Sequence, residues 1–205
     1  MKVIVTLLVG MFVSHHFDSG ACQKGQADQS AKASVQQLAD QNTKSQTPIE
    51  RLINALSGEW SAEEIYYPSD LLRAGGTGRS RENYRAGPAR MSVIQEYHGD
   101  GVAGKAWGTG IIWWEAQVHG FHFVWCDSYA LDRGCRVSAQ IGNWEGDDFV
   151  QSDVHEVSGK QVFEREVWSN FTPNSFVQTL YVGGSPAKLK RFMTISAKRL
   201  LKPKE

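Results

Sequence analysis

Between residues 58 and 200, nine turn-forming clusters divide the chain into short segments. The segments between them are rich in β-branched and aromatic residues and leave no room for crossover helices, so we predict about ten antiparallel strands. A meander of that many strands can remove its exposed edges by closing on itself. The sequence therefore predicts an all-β fold, a single up-and-down β-barrel. The clusters are Pro68-Ser-Asp, Ala86-Gly-Pro, Gly99-Asp-Gly, His119-Gly, Asp132-Arg-Gly, Glu145-Gly-Asp, Ser158-Gly, Thr172-Pro-Asn and Gly183-Gly-Ser-Pro.

One short helix is predicted before the first strand. Pro48 suits a first helical position, and apolar side chains follow at helical spacing up to Leu56. We expect the barrel domain to occupy residues 48–200, with a short tail over residues 201–205.

The N-terminus has the pattern of an export signal. Lys2 gives a positive start, and the apolar run at residues 3–13 is too short to span a bilayer. Small residues at positions 19–21 suit a cleavage site. We therefore predict a signal peptide over residues 1–21 and an exported protein that is periplasmic, anchored to the outer membrane or extracellular in a bacterium.

Cys22 would then be the first residue of the mature chain. A cysteine after a small residue resembles the lipidation site of bacterial lipoproteins, which would give a membrane tether through the thiol. Ser19 stands where that pattern usually has Leu, so lipidation and simple secretion both stay open. Residues 22–47 are rich in Gln, Ala, Ser and Lys and lack aromatic residues, which predicts a disordered tether.

The charge balance argues against a nucleic-acid partner. The chain has 22 basic and 22 acidic side chains, a formal net charge of zero. Phosphate binding needs a basic surface that releases counterions. We therefore expect no nucleic acid, while the oligomeric state stays open.

Two of the three cysteines flank a turn-rich segment. If the strands on either side of that segment pair, Cys126 and Cys135 meet across the hairpin, so we predict a disulfide that encloses a short loop. No matching Cys or His pair lies near them, so no metal site is predicted there.

An ordered set of motifs resembles a known superfamily. Leu56-Ser-Gly-Glu-Trp60 is similar to the first-strand signature of calycins, which include lipocalins, fatty-acid-binding proteins and nitrobindin-like domains. With Gly76-Thr-Gly78, Phe121-x-Phe-x-Trp-x-Asp-Ser128 and the final strand Phe192–Arg199, it resembles an uncharacterised bacterial family of secreted calycin-like domains. The resemblance implies a barrel, with Gly58 and Trp60 as structural residues near the end that the helix covers. It implies no established activity.

The segment from Phe149 to Trp168 predicts a hairpin with a defined register. A turn at Ser158-Gly159 places Ser152 opposite Arg165, on a face shared with Val150, Val154, Phe163 and Val167. We expect this apolar face to point inward and the polar face to point to solvent. An inward Arg165 would bind a ligand carboxylate, pair with Glu115, or reach water at the barrel mouth.

Aromatic and imidazole side chains supply the other candidate pocket residues. Seven tryptophans, Trp125 among them, could line a pocket for a flat or apolar ligand or fill the interior. Trp113 and Trp114 must face opposite sides of their strand. His122 is the best candidate for an interior imidazole. Nitrobindin-like relatives hold haem through a single His, so haem is a possible cofactor; otherwise we expect none.

These observations favour an exported barrel that binds a small apolar or amphipathic molecule without catalysing its conversion. One alternative is a barrel enzyme of the isomerase or lyase type, which needs an interior acid/base pair such as His122 or Arg165 with Glu115. The other is an envelope module that binds a partner through an exposed indole such as Trp113 or Trp114. The specific ligand stays open.

Overall fold

The computed structural model describes residues 46–70, 72–102, 104–128, 134–157 and 159–201. It contains one α-helix, α1 (Pro48–Leu56), and eleven strands. The strands are β1 Gly58–Tyr66, β2 Gly76–Ala86, β3 Ser92–Gly101, β4 Gly104–Glu115, β5 Gly120–Asp127, β6 Gly134–Val137, β7 Asn143–Glu145, β8 Asp148–Val157, β9 Lys160–Thr172, β10 Ser175–Gly183 and β11 Lys190–Arg199. The predicted signal peptide, Cys22 and nearly all of the predicted tether lie outside the described residues.

All eleven strands form one antiparallel curled sheet. The strand order is β6-β5-β4-β3-β2-β1-β11-β10-β9-β8-β7, so every strand pairs with its neighbours in sequence except β6 and β7, and the first strand pairs with the last. The predicted up-and-down meander is therefore confirmed in outline, with eleven strands instead of about ten. The pairing of β1 with β11 places the two sheet edges in the middle of the chain.

The predicted closure of the barrel is wrong. The edge strands β6 and β7 have four and three residues, which is too short for a continuous ladder between them. The segment between these strands makes isolated contacts instead. Gly142 forms a single bridge with Phe121 of β5, and the Ser138 hydroxyl donates to the Ser152 carbonyl of β8 at 2.9 Å. The sheet is thus an open barrel whose gap is crossed by a loop.

Helix α1 forms because its sequence supplies a complete N-terminal cap. Thr47 and Glu50 make a capping box, and Pro48 occupies the first turn. Leu52, Ile53 and Leu56 are buried on one face of the helix. At nine residues, α1 is short, and within the described part of the chain no helix is long and apolar enough to cross a membrane.

The helix covers one end of the curled sheet, which we name the helix end. Trp60 is fully buried there, and its indole N–H donates to the Leu56 carbonyl at 2.7 Å. The guanidinium of Arg199 lies over the Trp60 ring and donates to the Ser57 carbonyl. Gly58 has a φ of +136°, and a Cβ there would collide with that guanidinium, so the glycine is required.

The sheet face that points into the curl, which we name the inner face, is marked by buried aromatic side chains near the helix end. They are Trp60, Tyr84, Phe121, Phe149, Trp168 and Phe176, and together with the helix they form a dense apolar core. The opposite ends of the strands form the open end of the curl.

The register predicted for the β8–β9 hairpin is confirmed. Ser152 lies opposite Arg165, and Val154 lies opposite Phe163. The predicted orientation of the hairpin is wrong. Phe149 pairs with Trp168, both are fully buried in the core, and both belong to the polar face of the hairpin. The polar face therefore lines the interior, and the apolar face points outward.

Candidate functional site

A layer of polar side chains crosses the interior between the apolar core and the open end. Its members come from β1, β2, β3, β8, β9 and β10, and strand alternation brings them all to the inner face. They are Glu64, Ser80, Glu82, Gln95, Gln151, Glu166 and Gln178.

Glu82 is the most deeply buried carboxyl group of this layer for which a shift is resolved. It is 2% exposed, and its Oε2 accepts hydrogen bonds from the Tyr84 hydroxyl and from the Gln95 amide, the latter at 3.1 Å. Loss of hydration raises the pKa of Glu82 to about 7, against the lowering effect of these two donors. Its second oxygen has no hydrogen-bond partner among the described residues.

Glu166 of β9 is the second carboxyl group of the layer whose pKa is raised to about 7. The Gln178 amide donates to Glu166 Oε2 at 3.0 Å. Burial, and secondly the nearby Glu164 carboxyl, raise the pKa of Glu166 to about 7. Beside it on β8, Gln151 is 3% exposed, and neither of its amide atoms has a hydrogen-bond partner in the described part of the chain.

The acidic groups of the layer act on each other across the curl. The Glu64 carboxyl raises the pKa of Glu82, and the Glu82 carboxyl in turn raises the pKa of Glu166. Glu64 itself accepts hydrogen bonds from the hydroxyls of Tyr66 at 2.8 Å and Tyr97 at 2.7 Å. Like charges this close disfavour full ionisation, so the layer favours either bound protons or a bound cation.

Aromatic side chains line the β5 wall toward the open end. Phe123 and Trp125 stack with their ring centroids 6.0 Å apart, and the Trp125 indole donates to Asp127 at 2.9 Å. The Trp125 ring lies against Gly108 and Gly110 of β4, where a Cβ would collide with it. The two glycines thus make room for a flat aromatic wall next to the acidic layer.

The inner face at the open end is charged and reaches solvent. The side chains of His155, Asp153 and Glu164 are 13%, 16% and 17% exposed although they point into the curl. Arg136 of β6 approaches Glu164 at 3.7 Å. The partial exposure of these inner-face side chains shows that solvent reaches this end of the interior.

The interior is therefore acidic between the core and the open end. In that region, the buried and partly buried side chains of the described inner face include six carboxyl groups but only two basic groups, Arg136 and His155. The carboxyl groups are those of Glu64, Glu82, Asp127, Asp153, Glu164 and Glu166.

Arg165 does not point into the interior, so the prediction of an inward guanidinium is wrong. It lies on the outer face of β9, 40% exposed, and its guanidinium contacts Glu145 at 2.8 Å. Ser152 and Phe163 share that outer face. A surface ion pair satisfies Arg165 because water and Glu145 solvate it at low cost.

His122 also lies on the outer face, so its predicted interior position is wrong. It is cross-strand from Trp113, and the two rings stack with centroids 5.2 Å apart. Its Nε2 lies 2.7 Å from Glu115 Oε2. His122, Trp113 and Glu115 thus form one outer cluster, and the acid/base pairs suggested for an interior catalytic site are not inside the curl.

The other predicted residues lie as follows. Trp125 is on the inner face, the one pocket candidate from the sequence that is placed there. Trp114 faces inward against Phe121 while Trp113 faces outward, so the predicted split of this pair is confirmed. The predicted disulfide between Cys126 and Cys135 is present and joins β5 to the edge strand β6.

A groove of about 610 Å³ lies on the outer face of β1 to β4 and β11. Long charged side chains and the half-exposed ring of Trp107 form its walls. It is separate from the interior, because strand alternation puts these side chains on the other side of the sheet. The side chains include Arg79, Arg81, His98, Lys105, Trp107 and Lys198.

Sequence reasoning missed the interior carboxyl groups because acidic residues on a strand were assigned to solvent. A signal for them was present. Glu64 lies four residues after Trp60, and Glu82 lies two residues before Tyr84. Even spacing places residues on one face of a strand, so a buried aromatic neighbour predicts a buried carboxyl.

Two solved structures are similar to this chain, and one of them supports the fold. An S-type phycobiliprotein lyase from Guillardia theta is similar with a TM-score of 0.51 and 10% identity, over 78% of this chain and 96% of that one. A de novo designed fluorescence-activating β-barrel is similar with a TM-score of 0.41 and 10% identity, over 73% and 98%. Comparison with protein-family models and with curated proteins finds no match. The likeness to the lyase shows a shared β-barrel fold, and membership of a secreted calycin-like family stays a prediction.

Proposed function

We propose that this protein is an exported binding protein for a small amphipathic molecule that carries a basic nitrogen, held inside the curled sheet. The observation that carries the proposal is the acidic layer. Glu82 and Glu166 are withdrawn from water, and the Glu82 carboxyl acts on Glu166 to raise its pKa. A cationic group between them would offset the cost of ionising both carboxyl groups.

The surroundings of the layer suit the rest of such a ligand. Phe123 and Trp125 offer aromatic surface on one side, and the apolar core closes the helix end. Gln151 and Gln178 contribute buried amide atoms without partners among the described residues, which can orient polar groups of a ligand. A pocket with apolar walls and a few convergent polar groups is the usual form of a small-molecule site.

The outward orientation of Arg165 also favours a cationic ligand over an anionic one. An inward guanidinium would have favoured an anionic head group, whereas Arg165 pairs with Glu145 on the outer face. Among the buried and partly buried side chains of the described inner face between the core and the open end, only Arg136 and His155 are basic, and both lie beside acidic side chains. The balance of charge favours a basic ligand.

Calorimetric titration with a long-chain alkylamine and with the carboxylic acid of equal chain length tests the proposal. Both probes are used below their critical micelle concentrations. We expect the amine to bind at least about tenfold more tightly, because a charge-assisted hydrogen bond contributes about 1.5–3 kcal/mol. Glu82→Gln should weaken amine binding by about tenfold and leave the acid unaffected.

Glu63→Gln is the matched control, since Glu63 lies next to Glu64 on β1 but points outward and is exposed. It should change neither titration. Equal binding of amine and acid by the unaltered protein, or an equal loss in Glu63→Gln, contradicts the proposal. The comparison of the two probes needs no variant and stands even if Glu82→Gln folds poorly.

A further inference from the structure

Three potential metal ligands meet on the inner face at the open end. Asp153 of β8 is cross-strand from Glu164 of β9, and His155 follows Asp153 by two residues on the same face. His155 Nδ1 is 3.7 Å from Asp153 Oδ2, and His155 Nε2 is 3.7 Å from Glu164 Oε1. One ligand atom from each residue fits within 4.8 Å of the other two.

The imidazole of His155 lies near both carboxylates but makes no direct hydrogen bond to either one. At 3.7 Å, the imidazole nitrogens are beyond hydrogen-bond distance from both carboxylates. Ligand atoms about 2.1 Å from a tetrahedral Zn²⁺ are separated by roughly 3.4 Å. One ion can take only one imidazole nitrogen, and with one ligand atom from each residue the three atoms lie within 4.8 Å of one another. A contraction of up to about 1.4 Å therefore brings the triad to coordination distance.

Neighbouring groups hold the carboxylates in place and leave one oxygen of each available. Asp153 Oδ1 accepts hydrogen bonds from the backbone N–H groups of Ala139 at 3.0 Å and Val154 at 2.8 Å. Arg136 approaches Glu164 at Oε2, so Oε1 faces the imidazole. Metal ligands are typically oriented by outer partners of this kind.

Unpaired polar atoms near the triad point to a ligand. His155 Nδ1 is buried and has no hydrogen-bond partner among the described residues. Gln151 precedes Asp153 by two residues on the same inner face, and its amide is likewise unpaired within the described chain although it is 3% exposed. Buried polar groups without partners are rare in native proteins and require an explanation.

We infer that Asp153, His155 and Glu164 form a binding site for a divalent transition-metal ion, Zn²⁺ in the first place. One imidazole and two carboxylates suit Zn²⁺, and the partial exposure of the triad leaves a fourth position for water or a bound molecule. This site goes beyond the proposed function, because it uses residues other than Glu82 and needs no organic ligand.

Calorimetry with ZnSO₄ on the mature chain without a polyhistidine tag tests the site. We expect one Zn²⁺ per chain, and at least about tenfold weaker binding in each of Asp153→Asn, His155→Asn and Glu164→Gln. Co²⁺ in place of Zn²⁺ should give the visible absorption of a four- or five-coordinate ion, lost in the same variants. Far-UV circular dichroism identifies any variant that fails to fold.

His122→Asn is the matched control, because His122 also lies beside a carboxylate, that of Glu115, but without a third ligand in the described chain. It should bind Zn²⁺ as the unaltered protein does. Absence of stoichiometric Zn²⁺ binding, or binding that is lost in His122→Asn and kept in His155→Asn, overturns the site. Alkylamine binding is measured separately, so either proposal can fail alone.

Discussion

Glu82 is the residue that most clearly separates the interior of this protein from an ordinary core. Its carboxyl group is buried, and desolvation raises its pKa from 4.5 to about 7 in spite of hydrogen bonds from Tyr84 and Gln95. The Glu64 carboxyl of β1 favours the protonated form of Glu82 further, and Glu82 in turn raises the pKa of Glu166 on β9. Near neutral pH, the site thus stands between a proton-bound and an ionised state.

The raised pKa of Glu82 predicts that stability falls as the pH rises. Between about 4.5 and 7 the folded state binds more protons than the unfolded chain, so the slope of unfolding free energy against pH is negative. Relative to the unaltered protein, Glu82→Gln should gain on the order of 2 kcal/mol between pH 5 and pH 8. Urea unfolding at both pH values measures this gain; parallel pH profiles for the two proteins, or an equal gain in Glu63→Gln, would refute it.

At the scale of elements, the β8–β9 hairpin shows what its sequence can and cannot predict. Turn chemistry determines which residues pair, so the register follows from the sequence. The orientation does not follow from counting apolar positions. Phe149 and Trp168 bury more area than the valines opposite them, and each such ring contributes a large share of core energy. The free energy gained by burying these two rings therefore turns the polar face of the hairpin inward.

The reversed hairpin predicts opposite reactivity at neighbouring positions of β8. In a background in which Cys22 is replaced by Ser, Ser152→Cys should react with a maleimide much faster than Gln151→Cys. The reason is that Gln151 points into the curl and is 3% exposed, whereas Ser152 lies on the outer face. Mass spectrometry of labelling time courses measures the two rates. Faster labelling at position 151 would contradict this orientation and support the one predicted from the sequence, with the apolar face inward.

At the scale of the whole molecule, the spacing of turns was sufficient to predict an all-β meander, and Pro48 with the apolar spacing up to Leu56 predicted the one helix. It could not predict where the sheet ends. Closure depends on the lengths of β6 and β7, which pair for only four and three residues, and on the loop contact between Gly142 and Phe121. The acidic interior was missed for a related reason: the curl removes from solvent a polar face that an open sheet would leave in water.

If the acidic interior binds a basic amphipathic molecule, the protein should carry that molecule when it is made in its own host. Native mass spectrometry of the protein purified from its own host, followed by analysis of the molecule released on denaturation, tests that claim most directly. We predict one small molecule per chain with a basic nitrogen and an apolar part, retained by Glu63→Gln and lost from Glu82→Gln. A bound molecule whose only charged group is an acid, or equal retention by both variants, would contradict it.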